Sequence, residues 1–321
     1  MIGDLPQILQ EVFGLSEAQV QRLMARSPHT YKIYTIPKKS GGLRTIAQPA
    51  KETKYIQHWL MQTVFSKLPV HECAAAYKAG ASIKSNAQAH VHNKYISKFD
   101  FEMYFSSIKE GDLRSHLARW LGSDISARDI GKIARLACLS PKDGTGLCLS
   151  IGAPSSPVLS NSVMYEFDVK ISEWCKSQEM IYTRYADDLT FSTNRKEISA
   201  LIEPAIQQTL QSLDYPKLRI YGKKTIHLSK KNQRRITGVV INNEDELSIG
   251  RERKRIISSL IHRFSVGMLP PQDIFNLQGL LGFAKDIEPI FIARMRAKYG
   301  SKTIDDIFQV RKPKKILPPR S

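Results

Sequence analysis

Residues 181–192, IYTRYADDLTFS, set two adjacent carboxylates, Asp187 and Asp188, between two runs of strand character. Neighbouring like charges repel, and Asp is depleted in strands. Ile181, Thr183 and Tyr185 share one face by period two. Leu189 and Phe191 continue an alternating strand beyond the acids. The segment therefore reads as a β-hairpin whose tip carries both carboxylates. Two readings fit such a tip: a plain turn, which Asp suits well, or a metal site.

The rest of the chain bears on that choice. Its 321 residues are enough for two or three small domains or one elaborate one, each with its own core. With 48 Lys plus Arg against 30 acids, the formal net charge is +18. A polyanionic partner is the first expectation, and clustered acids in so basic a chain need a reason. A membrane partner is disfavoured, because no apolar run is long enough to span a bilayer. The N-terminus lacks a basic n-region and carries Asp4 and Glu11, unlike a signal peptide. Cys73, Cys138, Cys148 and Cys175 form no C-x-x-C pair, which fits reduced thiols filling core space in the cytoplasm and argues against a zinc site.

Periodicity supplies the element order. Two short helices occupy residues 4–27, the second capped by Ser16. A hairpin turns at Gly41-Gly42. Ile56, Leu60, Val64 and Leu68 mark a helix, and residues 82–93 read as helical. YISKFDFEMYF is a strand running into a turn, residues 111–140 are helical, and GTGLCLSIGAPSSP is a loop. A long helix follows the loop, then the acidic hairpin and a helix near 196–213. Strands are expected at 217–221, 225–228, 235–241 and 246–249. RERKRIISSLIHRF and FIARMRAKYG are basic amphipathic helices. In the first of them Ile256, Ile257, Leu260, Ile261 and Phe264 gather toward one side. Without regular βαβ alternation the fold class is α+β.

A second strand ends in Asp100 within an apolar setting, where a lone carboxylate is disfavoured unless something pairs with it. Mg²⁺ prefers carboxylate oxygens and substrate phosphates, and two ions about 4 Å apart assist phosphoryl transfer. Asp100, Asp187 and Asp188 suit that chemistry if their strands lie side by side. The alternative keeps Asp100 as a strand-end cap and Asp187-Asp188 as a turn.

Five blocks in order, IPKKSGGLR, FDFEMYF, GAPSSPVLSN, YADD and YGKKTIHLS, resemble the reverse transcriptases over most of residues 31–241. NAQAH, residues 86–90, and RRITGVVI, residues 234–241, resemble the N-A-x-x-H and V-T-G motifs of bacterial retron enzymes, with Ile236 standing for Val. No RNase H or integrase segment is seen. The resemblance implies a right-hand polymerase fold. N-terminal helices would occupy 1–30. Fingers would span 31–98, with a further segment at about 111–150. The palm would comprise 99–110 and 151–241, the thumb 242–310, and a basic, disordered tail 311–321.

The resemblance also implies roles. Asp100, Asp187 and Asp188 would be catalytic, and with the Phe101 carbonyl they would hold two Mg²⁺ ions. Lys38 and Arg44 would grip the incoming triphosphate, a flexible point charge beside a bidentate fork, although a solvated basic turn is the plainer reading. Phe105 would be the steric gate against a ribose 2′-OH. Phe101, Tyr104 and Phe105 cannot all face one site, so at least one is core. Gly152 would let backbone approach the nucleotide. Lys224, with Lys223 as its neighbour and competitor, would protonate the departing pyrophosphate. Asn86, His90, Arg251, Arg253, Lys254 and Arg255 would contact RNA, although a helix-capping or core histidine at 90 and a plainly solvated basic helix at 251–255 are the alternatives. Glu166 and Asp168 read as exposed helical charges. Ser150-Ile151 stands where the family commonly has Pro-Gln, so Ile151 offers no hydrogen bond to the nucleotide sugar.

The activity so implied is RNA-directed DNA synthesis from dNTPs. For a retron enzyme it further implies a structured noncoding RNA as template and primer, and a branched RNA–DNA product (msDNA). A role in antiphage defence with a separate effector protein would follow. Two other readings remain at this point: an intron-type or other bacterial reverse transcriptase, and an RNA-binding scaffold or antitoxin with a vestigial site.

Overall fold

The computed structural model describes residues 4–38 and 41–311. Lys39 and the tail from residue 312 lie outside the described residues. Contacts divide the chain into two compact units, Met1–Ser82 with Asn93–Ser229, and Ile83–His92 with Lys230–Ser321. Segment 83–92, which carries NAQAH, thus groups with the C-terminal third of the chain.

In the first unit, β1 (Tyr31–Pro37) and β2 (Leu43–Pro49) form the expected hairpin. Gly41 and Gly42 at its turn both take positive φ, where a side chain would be strained. A four-stranded antiparallel sheet has the order β4-β5-β3-β6. Its strands are β3 (Tyr95–Asp100), β4 (Ile181–Tyr185), β5 (Asp188–Thr193) and β6 (Ile226–Leu228). β3 and β5 lie inside the sheet and are buried on both faces over most of their length, which suits their aromatic and β-branched content. Phe99 and Phe191 meet edge to face at 5.8 Å between ring centres. Each such buried ring contributes about 2 kcal/mol.

The helices around this sheet follow local signals. Ser16 and Gln19 close a capping box on Glu17–Arg26. Helix Lys51–Thr63 buries Ile56 and Leu60. The expected long helix after GAPSSP is instead two, Ser156–Val163 and Tyr165–Ser177, separated by Met164. The buried side chains just before the break bond outside their own helix. Asn161 Nδ2 donates to the Ala76 carbonyl at 2.7 Å, and Ser162 Oγ pairs with His116 Nε2 at 2.7 Å. Such polar residues compete with helix continuation.

Two strand expectations change. Residues 217–221 form no strand, and only Ile220 pairs, through a single bridge to Phe101. The run 235–241 is two strands, β7 (Arg234–Ile236) and β8 (Val239–Ile241). Thr237 and Gly238 between them both take positive φ, the geometry of a two-residue hairpin turn.

In the second unit, β9 (Leu247–Ser248) completes a three-stranded sheet with β7 and β8. Helices Arg251–Ser265, Pro271–Ile287, Pro289–Tyr299 and Ser301–Gln309 follow. Ile257, Ile261, Leu277, Leu281, Ile304 and Ile307 are fully buried in this unit. Ile256, expected on the same apolar side as Ile257, is exposed. It lies one residue and about 100° around the helix from Ile257. All four cysteines are free and buried, as their spacing implied. No described helix is long and apolar enough to cross a membrane.

Candidate active site

The sheet register brings the separated acids together. Asp100, the last residue of β3, pairs directly with Asp188, the first residue of β5. Ala186 and Asp187 form the two-residue turn, with Tyr185 opposite Asp188. Backbone bonds lock both segments: Phe101 N–H donates to the Asp187 carbonyl at 3.2 Å, and Tyr221 N–H to the Asp100 carbonyl at 2.7 Å. Ala186 is buried at φ +57, an unusual conformation for a residue with a side chain.

The three acids raise each other's energy. Burial first, and the charge of Asp100 second, lift the Asp187 pKa above the usual carboxylate range. Burial lifts Asp188 as well; Lys98 opposes, and Asp187 and Asp100 add to the rise. Among the described residues, only one ion pair reaches this cluster: Lys224 Nζ donates to Asp100 Oδ1 at 2.8 Å. Burial works against the Lys224 charge, but the Asp100 bond and the three carboxylates outweigh it and raise its pKa. Lys223, its competitor by sequence, has no such bond among the described contacts.

A fourth carboxylate supports the tip from below. Asp168, expected as an exposed helical charge, is fully buried. Its oxygens accept from Arg184 Nε and Nη2, the latter at 2.6 Å, and from Tyr182 Oη at 3.0 Å. Arg184 Nη1 reaches on to Asn161 Oδ1 and to the Ala186 carbonyl, both at 3.2 Å. This fully buried guanidinium thus ties the helix Tyr165–Ser177 to the turn that carries Asp187. The sequence held a sign of it: Met164, Asp168, Ile171 and Cys175 recur at i, i+4, i+7 and i+11, one helical face, and all are buried. Glu166 is partly exposed and pairs with Arg119.

The remaining residues divide. Arg44 is exposed on β2, and its charge acts on Asp187. Lys38 is exposed at the end of the same hairpin, with its backbone N–H on the Gly42 carbonyl. Phe101 and Tyr104 are core residues stacked 5.9 Å apart, which leaves Phe105 as the partly exposed ring. Gly152 has a packing reason of its own. It sits at φ +122, where a Cβ would stand 2.8 Å from the Ala47 carbonyl oxygen. The preceding Ile151 carbonyl accepts from Ala47 N–H, so this loop is fastened to β2.

In the second unit the RNA expectations need correction. Asn86 and His90 are both buried, so neither presents its side chain at the surface. Burial drives the His90 pKa down to about 3, so its ring is neutral. Asn86 Nδ2 donates to Thr237 Oγ1, which joins the two short motifs to each other. Arg253 lies over the Phe283 ring and donates to the Gly238 carbonyl, and Lys254 pairs with Glu288. Arg251 and Arg255 are exposed. A cavity of about 770 Å³ opens beside this helix, lined by Lys254, Arg255, His262, Phe291, Lys298 and Tyr299 among others.

No three acidic, histidine or cysteine side chains among the described residues form a ready-made metal cage. By chemistry the acidic trio nonetheless fits a divalent cation. The donors are all carboxylate oxygens, burial and neighbouring carboxylate charge raise the pKa values of Asp187 and Asp188, and Asp100 is held by Lys224.

Comparison with known proteins agrees with this geometry. The family described as "Reverse transcriptase (RNA-dependent DNA polymerase)" matches residues 36–241. The retron Ec83 reverse transcriptase of Escherichia coli is 40% identical over 289 residues, covering 89% of this chain and 92% of that protein. The retron Ec73 reverse transcriptase of the same species is 35% identical over 284 residues, covering 85% and 88%. Among solved structures, Candida albicans telomerase in complex with a fragment of telomeric RNA superposes with a TM-score of 0.50 at 11% identity. That match covers 90% of this chain but 56% of the telomerase chain, and at this identity it speaks for the fold alone. With its right-hand polymerase fold and these relatives, the chain belongs to the reverse transcriptase family, as an RNA-directed DNA polymerase of the bacterial retron type.

Proposed function

We propose that this enzyme copies a structured noncoding RNA, serving as both template and primer, into a branched RNA–DNA. The observation that carries the catalytic part is the pairing of Asp100 with Asp188 beside Asp187, against Lys224. Reverse transcriptases depend on divalent metal, and this chain shares the requirement with its family. Asp100, Asp187, Asp188 and the Phe101 carbonyl would hold two Mg²⁺ ions, which supply activation of the attacking hydroxyl and neutralisation of the leaving oxygen.

The chain's own groups do the rest. Arg44 and Lys38 bind the triphosphate from the hairpin side, by a fork and a point charge. Lys224 neutralises Asp100 while the site is without substrate. An incoming triphosphate offers its ammonium a competing anion, and the lysine then stands as proton donor to pyrophosphate. The Phe105 ring rejects a 2′-OH by contact. Gly152 and Ile151 form a surface fastened to β2 through the Ala47 backbone, so the nucleotide loop and the hairpin move together. Arg251 and Arg255 meet RNA phosphates, which gives affinity and salt dependence with little sequence information.

Kinship with retron reverse transcriptases supports the finer parts of this reading. These are initiation at an internal guanosine 2′-OH, retention of the msDNA by the enzyme, a cytoplasmic site of action, and a role in antiphage defence with a separate effector. Primer extension on RNA with wild type and Asp187→Asn tests the catalytic core: DNA made by wild type alone supports it, and DNA made equally by the variant overturns the metal assignment. Nucleic acid recovered with the enzyme from cells, treated with RNase and a 2′,5′-debranching enzyme, tests the branch. A DNA whose mobility ignores debranching rules the branch out.

A further inference from the structure

Residues 73–75 lie against β4 by their backbone. Arg184 N–H donates to the Cys73 carbonyl at 2.9 Å, and Ala75 N–H donates to the Arg184 carbonyl at 2.7 Å. Ala74 and Arg184 form a parallel bridge. Arg184 Nη1 in turn donates to the Ala186 carbonyl and to Asn161 Oδ1, both at 3.2 Å, which links this segment to the turn that carries Asp187. Asn161 Nδ2 then holds the Ala76 carbonyl at 2.7 Å. Lys78 Nζ holds the carbonyl of Glu72 at 2.7 Å, beside that of His71.

Tyr77 itself takes φ +58, which a bulky side chain rarely adopts. Ala76 before it is buried, yet Tyr77 is 44% exposed. The first unit gains little core from this ring, although several bonds fix the backbone that carries it. Its phenol feels the active site: burial and then the Asp187 charge raise its pKa, while Arg44 opposes. A strained aromatic residue among groups that would serve the triphosphate and the reacting phosphate is a functional candidate.

We propose that Tyr77 is a nucleotide-binding residue whose ring packs against the incoming dNTP, between Arg44 and Asp187. The proposal rests on the roles given to those two residues above. Arg44 suits the phosphates and Asp187 the reacting centre, so the part left for an aromatic face is the base with its sugar. Every base has such a face, so the contact strengthens binding of all four dNTPs alike.

Single-nucleotide incorporation by the full chain on poly(rA) primed with oligo(dT) tests this. Y77G is the informative variant, because glycine adopts φ +58 without strain. It is expected to raise KM for dTTP about tenfold while kcat stays within about threefold. Y77F keeps the ring and is expected to hold KM within about twofold of wild type. An unchanged KM in Y77G overturns the proposal, as does a loss confined to kcat. Y77F as impaired as Y77G overturns it too, because the hydroxyl would then carry the contact. Should Y77G melt early, Y77L, bulky but without a π face, is read by the same criteria. Asp187→Asn provides the separation: its retaining full synthesis refutes the catalytic reading, whereas a normal KM in Y77G refutes only the role of Tyr77.

Discussion

Asp168 and the trio Asp100, Asp187 and Asp188 lie on the two sides of one hairpin turn and are treated oppositely. Beneath the turn, Asp168 is fully buried with both oxygens engaged by Arg184 and Tyr182. At the turn, Lys224 on Asp100 is the one cation in contact with the three carboxylates among the described residues, and burial and repulsion raise the pKa values of Asp187 and Asp188. A satisfied buried charge holds a structure in register, while a poorly compensated cluster stores a demand for positive charge that substrate and metal can meet. The satisfied pair also steadies the unsatisfied cluster, because Arg184 grips the Ala186 carbonyl next to Asp187.

That contrast breaks if the wrong substitution unfolds the protein. Asp187→Asn is expected to lower DNA synthesis by about 10³-fold or more, with an unchanged or higher melting temperature because repulsion falls. A primer-extension assay beside a melting curve reads both. Asp168→Ala is expected to do the reverse. Leaving Arg184 buried and unpaired costs about 3–4 kcal/mol, seen as an early urea transition, and activity is lost only as the fold is lost. If Asp168→Ala melts like wild type, the pair is not the support described here. Lys224→Ala sharpens the comparison by removing the cation that contacts Asp100. It is expected to lower kcat about 10²-fold through the lost proton donor, with RNA binding retained in a filter assay. Gly152→Ala is the smallest effect. Its Cβ meets the Ala47 carbonyl oxygen at a backbone angle unsuited to side chains, so about 1–2 kcal/mol is lost. KM for dNTP should rise as the loop shifts, which steady-state kinetics would show.

Legibility followed the range of the interaction. The hairpin at Gly41-Gly42, the Ser16 cap and the acidic tip were readable because each is set within a few residues. The break at Met164 was not, because its reason lies in partners distant along the chain: Asn161 on Ala76 and Ser162 on His116. Thr237-Gly238 was readable in principle as a turn, but the apolar run around it looked like one continuous strand. Contact of His90 and Asn86 with RNA is implied only by the resemblance of NAQAH to a retron motif, and the sequence alone does not separate that role from a place in the core. Burial within the folded chain overrode that expectation.

Taken alone, the amino-acid order determined the α+β fold class and, through its ordered blocks, the resemblance to the reverse transcriptases. Those follow from residue type, period and ordered blocks. Only the tertiary structure decided which charges are spent on holding the tip and which are left for chemistry. Asp168 and Asp100 are the same residue type, and each stands beside a phenylalanine in sequence. What separates them is whether a cation from elsewhere in the chain saturates their oxygens after water has been excluded, and that is a property of packing in space.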